Sequence, residues 1–161
     1  MGPITINLWI NGHDMHEAAD YYCRLFEDGE VLAVVPYGAE AGEWAGAPMV
    51  VELRLGGAPW TLINGAGHTF TPSEATSFEV ACEDQAEVDR VWGHLADGGR
   101  PGPCGWIADR YGFSWQVVPA ELGAMMRDPD PERVARVTAC FMAVDGVALS
   151  VADLRAAYDG S

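Results

Sequence analysis

The feature that most constrains the fold of this chain is an internal repeat. A shift of 70 places residues 4–29, "ITINLWINGHDMHEAADYYCRLFEDG", over residues 74–99, "EATSFEVACEDQAEVDRVWGHLADGG". Four identities coincide, namely Asp14 with Asp84, Glu17 with Glu87, Leu25 with Leu95 and Gly29 with Gly99. Each copy begins with the apolar alternation of a strand and continues as a helix that an Asp-x-x-Glu capping box opens and a glycine closes.

A second shift, of 55, places "GAPWTLI" (residues 57–63) over "GFSWQVV" (residues 112–118). Both segments are a Gly-x-x-Trp motif followed by a strand. Between helix and final strand each copy has further strand-forming sequence, and the two shifts differ by 15 residues because the second copy is shorter there. Chance similarity would account for one matching block, whereas two blocks in the same order, with coinciding caps and turns, favour duplication of a strand-helix-strands unit.

The residues after Pro119 predict a helical extension. Asp130 is a candidate N-cap before Pro131, and Ser150 with Asp153 forms a second capping box. The predicted fold is α+β, with paired βαβββ modules at about residues 4–64 and 74–119 forming one domain of residues 1–119, followed by covering helices in residues 120–161.

The composition excludes several classes of partner. With 49% hydrophobic and 20% charged residues the chain is typical of a folded, soluble protein, and no apolar run is long enough to span a membrane. A formal net charge of -15 would repel a phosphate backbone, so no nucleic-acid partner is expected. The N-terminus shows no secretory signal, and the 4 cysteines form no C-x-x-C pair, which is typical of the reducing cytoplasm.

Three motifs carry a resemblance to a known family. "LWINGHDMHEAADYYCRLF", "LING" with "TSFEVACEDQAEVDRVW", and "CGWIADRYGFSWQVVP" followed by "DPDPERVARV" resemble the PhnB-like branch of the vicinal oxygen chelate superfamily, which includes glyoxalase I, extradiol dioxygenases and bleomycin resistance proteins. The resemblance implies two cup-shaped sheets enclosing a cavity, and a homodimer. This branch often carries a 3-demethylubiquinone-9 3-methyltransferase label, which the sequence does not support because it has no strand-linked Gly-x-Gly-x-x-Gly turn.

Metal-using members of the superfamily bind one divalent ion through four strand residues, two from each module. The resemblance places these positions at Thr5, Thr61, Ala75 and Gln116, of which only Gln116 is a plausible ligand. If the ligand positions in the first strand of each module lie two residues further along, they fall on Asn7 and Ser77, which are also poor ligands. Divalent transition metals bind three or four His, Cys or carboxylate side chains, so the sequence predicts no metal and no other cofactor.

Gln116 is instead the principal candidate for binding a small molecule. If Trp115 packs under the helix, Gln116 projects from the opposite face of the strand into the cup, where its amide can donate and accept hydrogen bonds. The alternative is that the amide of Gln116 is hydrogen-bonded to neighbouring backbone groups and has no role in binding. The candidate ligand-binding residues are Thr5, Asn7, Trp9, Thr61, Ser77 and Gln116.

Catalytic candidates are weaker. His68, on a Gly-rich connection, is a possible acid or base, and Cys104 a possible nucleophile, but loop histidines are usually solvent-exposed and free cysteines usually structural. Glu52 shares a strand face with Arg54. The alternation of side chains along the strand does not decide whether that face meets solvent or the cavity. His13 and His16 lie at a helix start with no third ligand near in sequence.

These features favour a protein that binds a small, partly apolar molecule in the inter-module cavity without a complete metal site. The alternative is a metalloenzyme of lyase, isomerase or oxygenase type with non-standard ligands. Binding is favoured because the sequence supplies polar anchors more clearly than it supplies catalytic groups.

Overall fold

The computed structural model describes residues 2, 4–12 and 14–161, so His13 lies outside the described residues. The chain divides into two compact units, Met1–Thr71 and Pro72–Ser161. Each unit contains one of the predicted modules. That residues 1–119 form a single domain stays a prediction.

The first unit is a four-stranded sheet with one long helix. Its elements are β1 (Ile6–Ile10), α1 (Met15–Leu25), β2 (Glu30–Pro36), a short 3₁₀ helix (Ala39–Trp44), β3 (Pro48–Leu55) and β4 (Ala58–Asn64). The strand order is β1-β4-β3-β2, with β1 parallel to β4 and the other pairs antiparallel.

The second unit repeats this topology and adds three helices. Its elements are β5 (Ser77–Cys82), α2 (Gln85–Ala96), β6 (Arg100–Pro101), β7 (Trp106–Ala108), β8 (Ser114–Pro119), α3 (Leu122–Met125), α4 (Pro131–Met142) and α5 (Val151–Asp159). The order β5-β8-β7-β6 matches that of the first sheet strand for strand. The predicted α+β fold of tandem βαβββ modules with C-terminal helices is therefore confirmed.

The predicted helix starts are confirmed. The carboxylate of Asp14 accepts hydrogen bonds from the N–H groups of His16 and Glu17, and that of Asp84 accepts one from Glu87. Asp130 and Ser150 cap α4 and α5 in the same way. In the described residues, no helix is long and apolar enough to cross a membrane.

Each sheet buries one face against its own helix. In the first unit the buried residues include Leu8, Ile10, Ala18, Tyr22, Leu25, Leu53 and Leu62. In the second unit they include Cys82, Val88, Val91, Leu95, Ile107, Trp115 and Val117. Because side chains alternate along a strand, the remaining strand residues lie on the opposite face, which we call the open face of each sheet.

The C-terminal helices pack on the second unit. Leu122, Met125, Val137, Leu149 and Leu154 form their core, against which Val118 of β8 also packs. The side chain of Gln85, at the start of α2, donates to the carbonyl of Leu149 (3.2 Å) and accepts from the N–H of Val151 (2.8 Å). These contacts place the extension at the end of β8, beside the open face.

Candidate functional site

The turn between β7 and β8 positions the strand that carries Gln116. Asp109 is 4% exposed, and its Oδ1 accepts from the N–H groups of Tyr111 (2.8 Å) and Phe113 (3.0 Å). Its Oδ2 accepts from Nε1 of Trp115 at 2.9 Å. Trp115 is thereby fixed on the buried face, so Gln116 lies on the open face. Sequence reasoning missed Asp109, although an Asp in an Asp-x-x-Gly turn is a recognised signal for this geometry.

The open face of the second sheet has two rows of residues that are partners across the strands. One row is Arg100, Ala108, Ser114 and Ser77. The other is Trp106, Gln116 and Glu79. The strand partner of Gln116 is thus Glu79, which the sequence analysis did not identify, and Ser77 is the partner of Ser114.

Gln116 is half-buried and only partly hydrogen-bonded. Its Nε2 donates to the hydroxyl of Ser77 at 2.8 Å, so two of the predicted ligand-binding residues are in contact. Within the described part of the chain, its Oε1 accepts no hydrogen bond. The partner is a side chain rather than neighbouring backbone, and an acceptor remains available.

Two cavities lie on this open face. The smaller, about 220 Å³, is lined by Glu79, Cys104, Trp106, Gln116, Val118, Leu122, Gly123 and Phe141. The larger, about 300 Å³, is lined by residues that include Arg100, Cys104, Trp106, Ala108 and Ser114. Cys104 and Trp106 belong to both linings, so the cavities adjoin.

Cys104 differs from the other cysteines in its position. All four cysteines, each in the described part of the chain, are free thiols. Burial raises the pKa of Cys82 to about 11, and it raises the pKa of Cys23 and of Cys140 as well. Cys104 has a positive φ of 56°, and its N–H donates to the carbonyl of Val144 at 2.8 Å, which ties the cavity wall to the segment after α4.

The open face of the first sheet carries three of the predicted ligand-binding residues. Asn7 is the strand partner of Thr61, and Thr61 is the partner of Glu52. Trp9 follows Asn7 on the same face, whereas Thr5 precedes β1. Glu52 therefore faces away from α1. Arg54 forms an ion pair with Glu30.

The segment after β4 covers Trp9. The indole Nε1 of Trp9 donates to the carbonyl of His68 at 3.2 Å, and the ring of Phe70 meets the indole edge-on at 4.9 Å. Asn11 binds both backbone groups of Phe70. His68 thus contributes a backbone carbonyl, while its side chain is exposed.

The donors on these faces are fewer than a divalent transition metal usually takes. No three His, Cys, Asp or Glu side chains come together among residues 2, 4–12 and 14–161. The smaller cavity offers one carboxylate, one thiol and one amide, from Glu79, Cys104 and Gln116. Such metals usually take three or four imidazole, thiolate or carboxylate ligands.

Comparison with known proteins identifies the family. Residues 3–118 match the family described as 3-demethylubiquinone-9 3-methyltransferase. A PhnB protein from Bacillus cereus is 30% identical to this chain, with a TM-score of 0.63, and the match covers 74% of this chain and 100% of that one. The chain belongs to the PhnB-like branch of the vicinal oxygen chelate superfamily.

More distant structures share the fold of this PhnB-like chain. A Pseudomonas aeruginosa protein is 23% identical, with a TM-score of 0.60 and coverage of 74% of this chain and 98% of its own. The fosfomycin resistance protein FosX of Listeria monocytogenes, complexed with Mn(II) and a dihydroxypropylphosphonic acid, is 13% identical, with a TM-score of 0.53 and coverage of 73% and 91%. No curated protein matches the chain.

The family match ends where the C-terminal extension begins. It stops at residue 118, and α3, α4 and α5 all follow that residue. Leu122, Gly123 and Phe141, which line the smaller cavity, therefore lie outside the matched region. Part of the cavity wall in this PhnB-like chain comes from its own extension.

Proposed function

We propose that this protein binds a small, partly apolar molecule on the open face of its second module. The observation that carries the proposal is the placement of Gln116, with an available amide oxygen, in a cavity of about 220 Å³ whose other walls are largely apolar. Ligand sites typically combine an apolar lining with a few oriented polar groups. We assign no reaction to this site.

The chemistry of the cavity supports a ligand with one flat or apolar part and one hydrogen-bond donor. Trp106, Val118, Leu122 and Phe141 supply apolar and aromatic surface. The hydrogen bond to Ser77 fixes the orientation of the Gln116 amide, so its Oε1 can accept a bond from the ligand. Phe141 comes from the extension, and we propose that the extension thereby adapts the family site to this chain's ligand.

Replacing Gln116 by alanine is expected to weaken binding about tenfold while the protein stays folded, because a ligand hydrogen bond is lost and only one partly buried bond of the protein is broken. Native mass spectrometry of the purified protein would detect a co-purified ligand. Saturation-transfer NMR with phenylacetamide, which has an apolar ring and an amide donor, would measure probe binding.

The control variant is Ser77→Ala, which keeps Gln116 but removes its partner and is expected to weaken binding less. Thermal unfolding would show whether both variants keep the wild-type fold. Wild-type affinity in a folded Q116A variant would contradict the proposal. A Q116A variant that unfolds while Ser77→Ala binds normally would mean that Gln116 is structural.

A metal-dependent enzyme of lyase, isomerase or oxygenase type is the second candidate. The pairing of Glu79 with Gln116 on neighbouring strands favours it, since it places a carboxylate beside the amide. Elemental analysis of the purified protein and calorimetric titration with divalent ions would distinguish the two candidates. Stoichiometric metal that Glu79→Gln releases would support the enzyme.

The family resemblance implies a homodimer, and we propose that its two copies associate through β2. This edge strand exposes four large apolar side chains, those of Val31, Leu32, Val34 and Val35. An apolar edge with unpaired backbone groups is suited to pairing with another strand. The ion pair of Glu30 with Arg54 neutralises the one charge on the strand, which favours a second copy of the same edge.

Replacing both Leu32 and Val34 by glutamate is expected to convert a dimer of about twice 17.3 kDa into a monomer, as measured by light scattering after size exclusion. Val147→Glu, at a site in the second unit that is 58% exposed, is the matched control and should stay dimeric. A wild-type monomer, or a dimer that tolerates both charges, would contradict this interface.

The four free thiols support a location in the reducing cytoplasm, which we propose as well.

A further inference from the structure

The larger cavity on the second open face has a cation and a buried hydroxyl along one row of the sheet. Arg100 on β6 and Ser114 on β8 both line this cavity, which measures about 300 Å³. Ala108 on β7 lies between them in the row of strand partners. The cavity adjoins the Gln116 cavity across Cys104 and Trp106.

Arg100 is unusual among the cationic side chains of this acidic chain. All 9 cationic residues are arginines, against 24 acidic residues. Seven of them bind carboxylates or backbone carbonyls: Arg24, Arg54, Arg90, Arg110, Arg133, Arg136 and Arg155. Within the described part of the chain, Arg100 and Arg127 have no such partner, and Arg100 lines the larger cavity.

Ser114 gives a second, independent indication of a ligand. It is 4% exposed, yet its hydroxyl makes no hydrogen bond with any described residue. The hydroxyl oxygen itself reaches the cavity, where such a group is normally paired with water or with a bound molecule. A hydroxyl on the lining of a cavity and without a protein partner is available to a bound molecule.

The spacing of the row suits one small molecule that reaches both groups. Neighbouring strands lie about 4.8 Å apart, so the Cα atoms of Arg100 and Ser114 are separated by about 10 Å. The methyl group of Ala108 leaves space between them. Trp106, Pro101 and Pro103 supply apolar walls around this space.

We propose that this cavity binds a small monocarboxylate with an apolar or aromatic body, whose anionic group pairs with Arg100 and whose body lies over Ala108 and against Trp106. A guanidinium binds a carboxylate through two parallel hydrogen bonds, which gives both charge and direction. The carboxylate of Glu74, also on the lining, disfavours a ligand with a second anionic group. This inference goes beyond the proposed function, since it assigns a second binding site, in the cavity that adjoins the Gln116 cavity.

The test compares phenylacetate with phenylacetamide, which have the same shape and differ in charge. Dissociation constants would be measured by calorimetry or NMR for the wild type, Arg100→Gln, Ala108→Leu and Arg127→Gln. Arg127 is the matched control, since it is the other arginine without a partner and lines neither cavity. Because Arg100 makes no ion pair or hydrogen bond within the described chain, R100Q should unfold at the wild-type temperature.

We expect wild type and R127Q to prefer the acid over the amide about tenfold, and we expect both R100Q and A108L to lose that preference, R100Q because it lacks the cation and A108L because the larger side chain fills the cavity. Equal binding of the two probes by wild type, or a preference that survives in R100Q, would overturn the role of Arg100 and leave the proposed binding function intact. Binding of neither probe by wild type would count against both.

Discussion

Replacing Asp109 by alanine is expected to lower the free energy of unfolding by about 3 to 5 kcal/mol. The carboxylate is almost fully buried and accepts bonds from the N–H groups of Tyr111 and Phe113 and from Nε1 of Trp115. The substitution removes the acceptor of these three bonds, and the fully buried Trp115 loses the group that orients its ring. Equilibrium urea unfolding, followed by circular dichroism, would measure the change.

Asp28→Ala is the matched control in the first module. Asp28 also accepts two backbone bonds, from Gly56 at 2.8 Å and Gly57 at 2.7 Å, and those bonds hold its pKa below the ordinary value. Asp28 is exposed, so water can replace the lost acceptor, and we expect a cost of about 1 kcal/mol. Equal losses in the two variants would show that burial of the Asp109 carboxylate is not the source of the effect.

The repeat in the sequence was sufficient to predict the order of strands and helices along the chain. Helix α1 begins at Met15 and α2 at Gln85, which reproduces the shift of 70. The repeat-related Trp60 and Trp115 are both buried, and each indole N–H has an acceptor near the preceding turn. Caps and turn residues act locally, so their spacing in the sequence transfers directly to the structure.

The shift of 70 does not align β1 with β5 correctly, because the loops that follow these two strands differ in length. Four residues, 11–14, connect β1 to α1, whereas two, 83–84, connect β5 to α2. The register of each first strand is set by its pairing with the last strand of the same sheet, not by its distance from the helix. Asn7 pairs with Thr61 and Glu79 pairs with Gln116, so Asn7 corresponds to Glu79 and not to Ser77. A two-residue slip keeps the same face of the strand, which is why Ser77 still lies beside Gln116.

The position of the extension required the structure. The sequence predicts amphipathic helices in residues 120–161, but an apolar helix face does not specify which surface it will cover. The contacts of Gln85 with the backbone around α5 span more than 60 residues and have no local signature. Phe141 could therefore not be assigned to the candidate site from sequence.

Replacing Gly99 by alanine is the second substitution expected to have a large effect, at about 3 kcal/mol of lost stability. A Cβ atom there would lie 2.6 Å from the carbonyl oxygen of Ala108 and closer still to that of Leu95. Both obstacles are backbone, which cannot rotate away as a side chain can. The repeat-related Gly29 faces the same obstacle, since its Cβ would lie 2.6 Å from the carbonyl carbon of Cys23. The paired glycines are thus explained by close approach of the helix end to the next strand, and we expect Gly29→Ala to be similarly destabilising.

Gly93→Ala, in the helix that precedes Gly99, provides the opposite control. Gly93 is exposed in the interior of α2, and a Cβ there would meet nothing within 4 Å. Alanine has the higher helix propensity, so this variant should be stabilised by about 0.5 to 1 kcal/mol. Thermal unfolding of both variants beside the wild type would measure the difference, because the two substitutions add the same methyl group. A destabilised G93A or an unaffected G99A would show that backbone contact does not explain the repeated glycine.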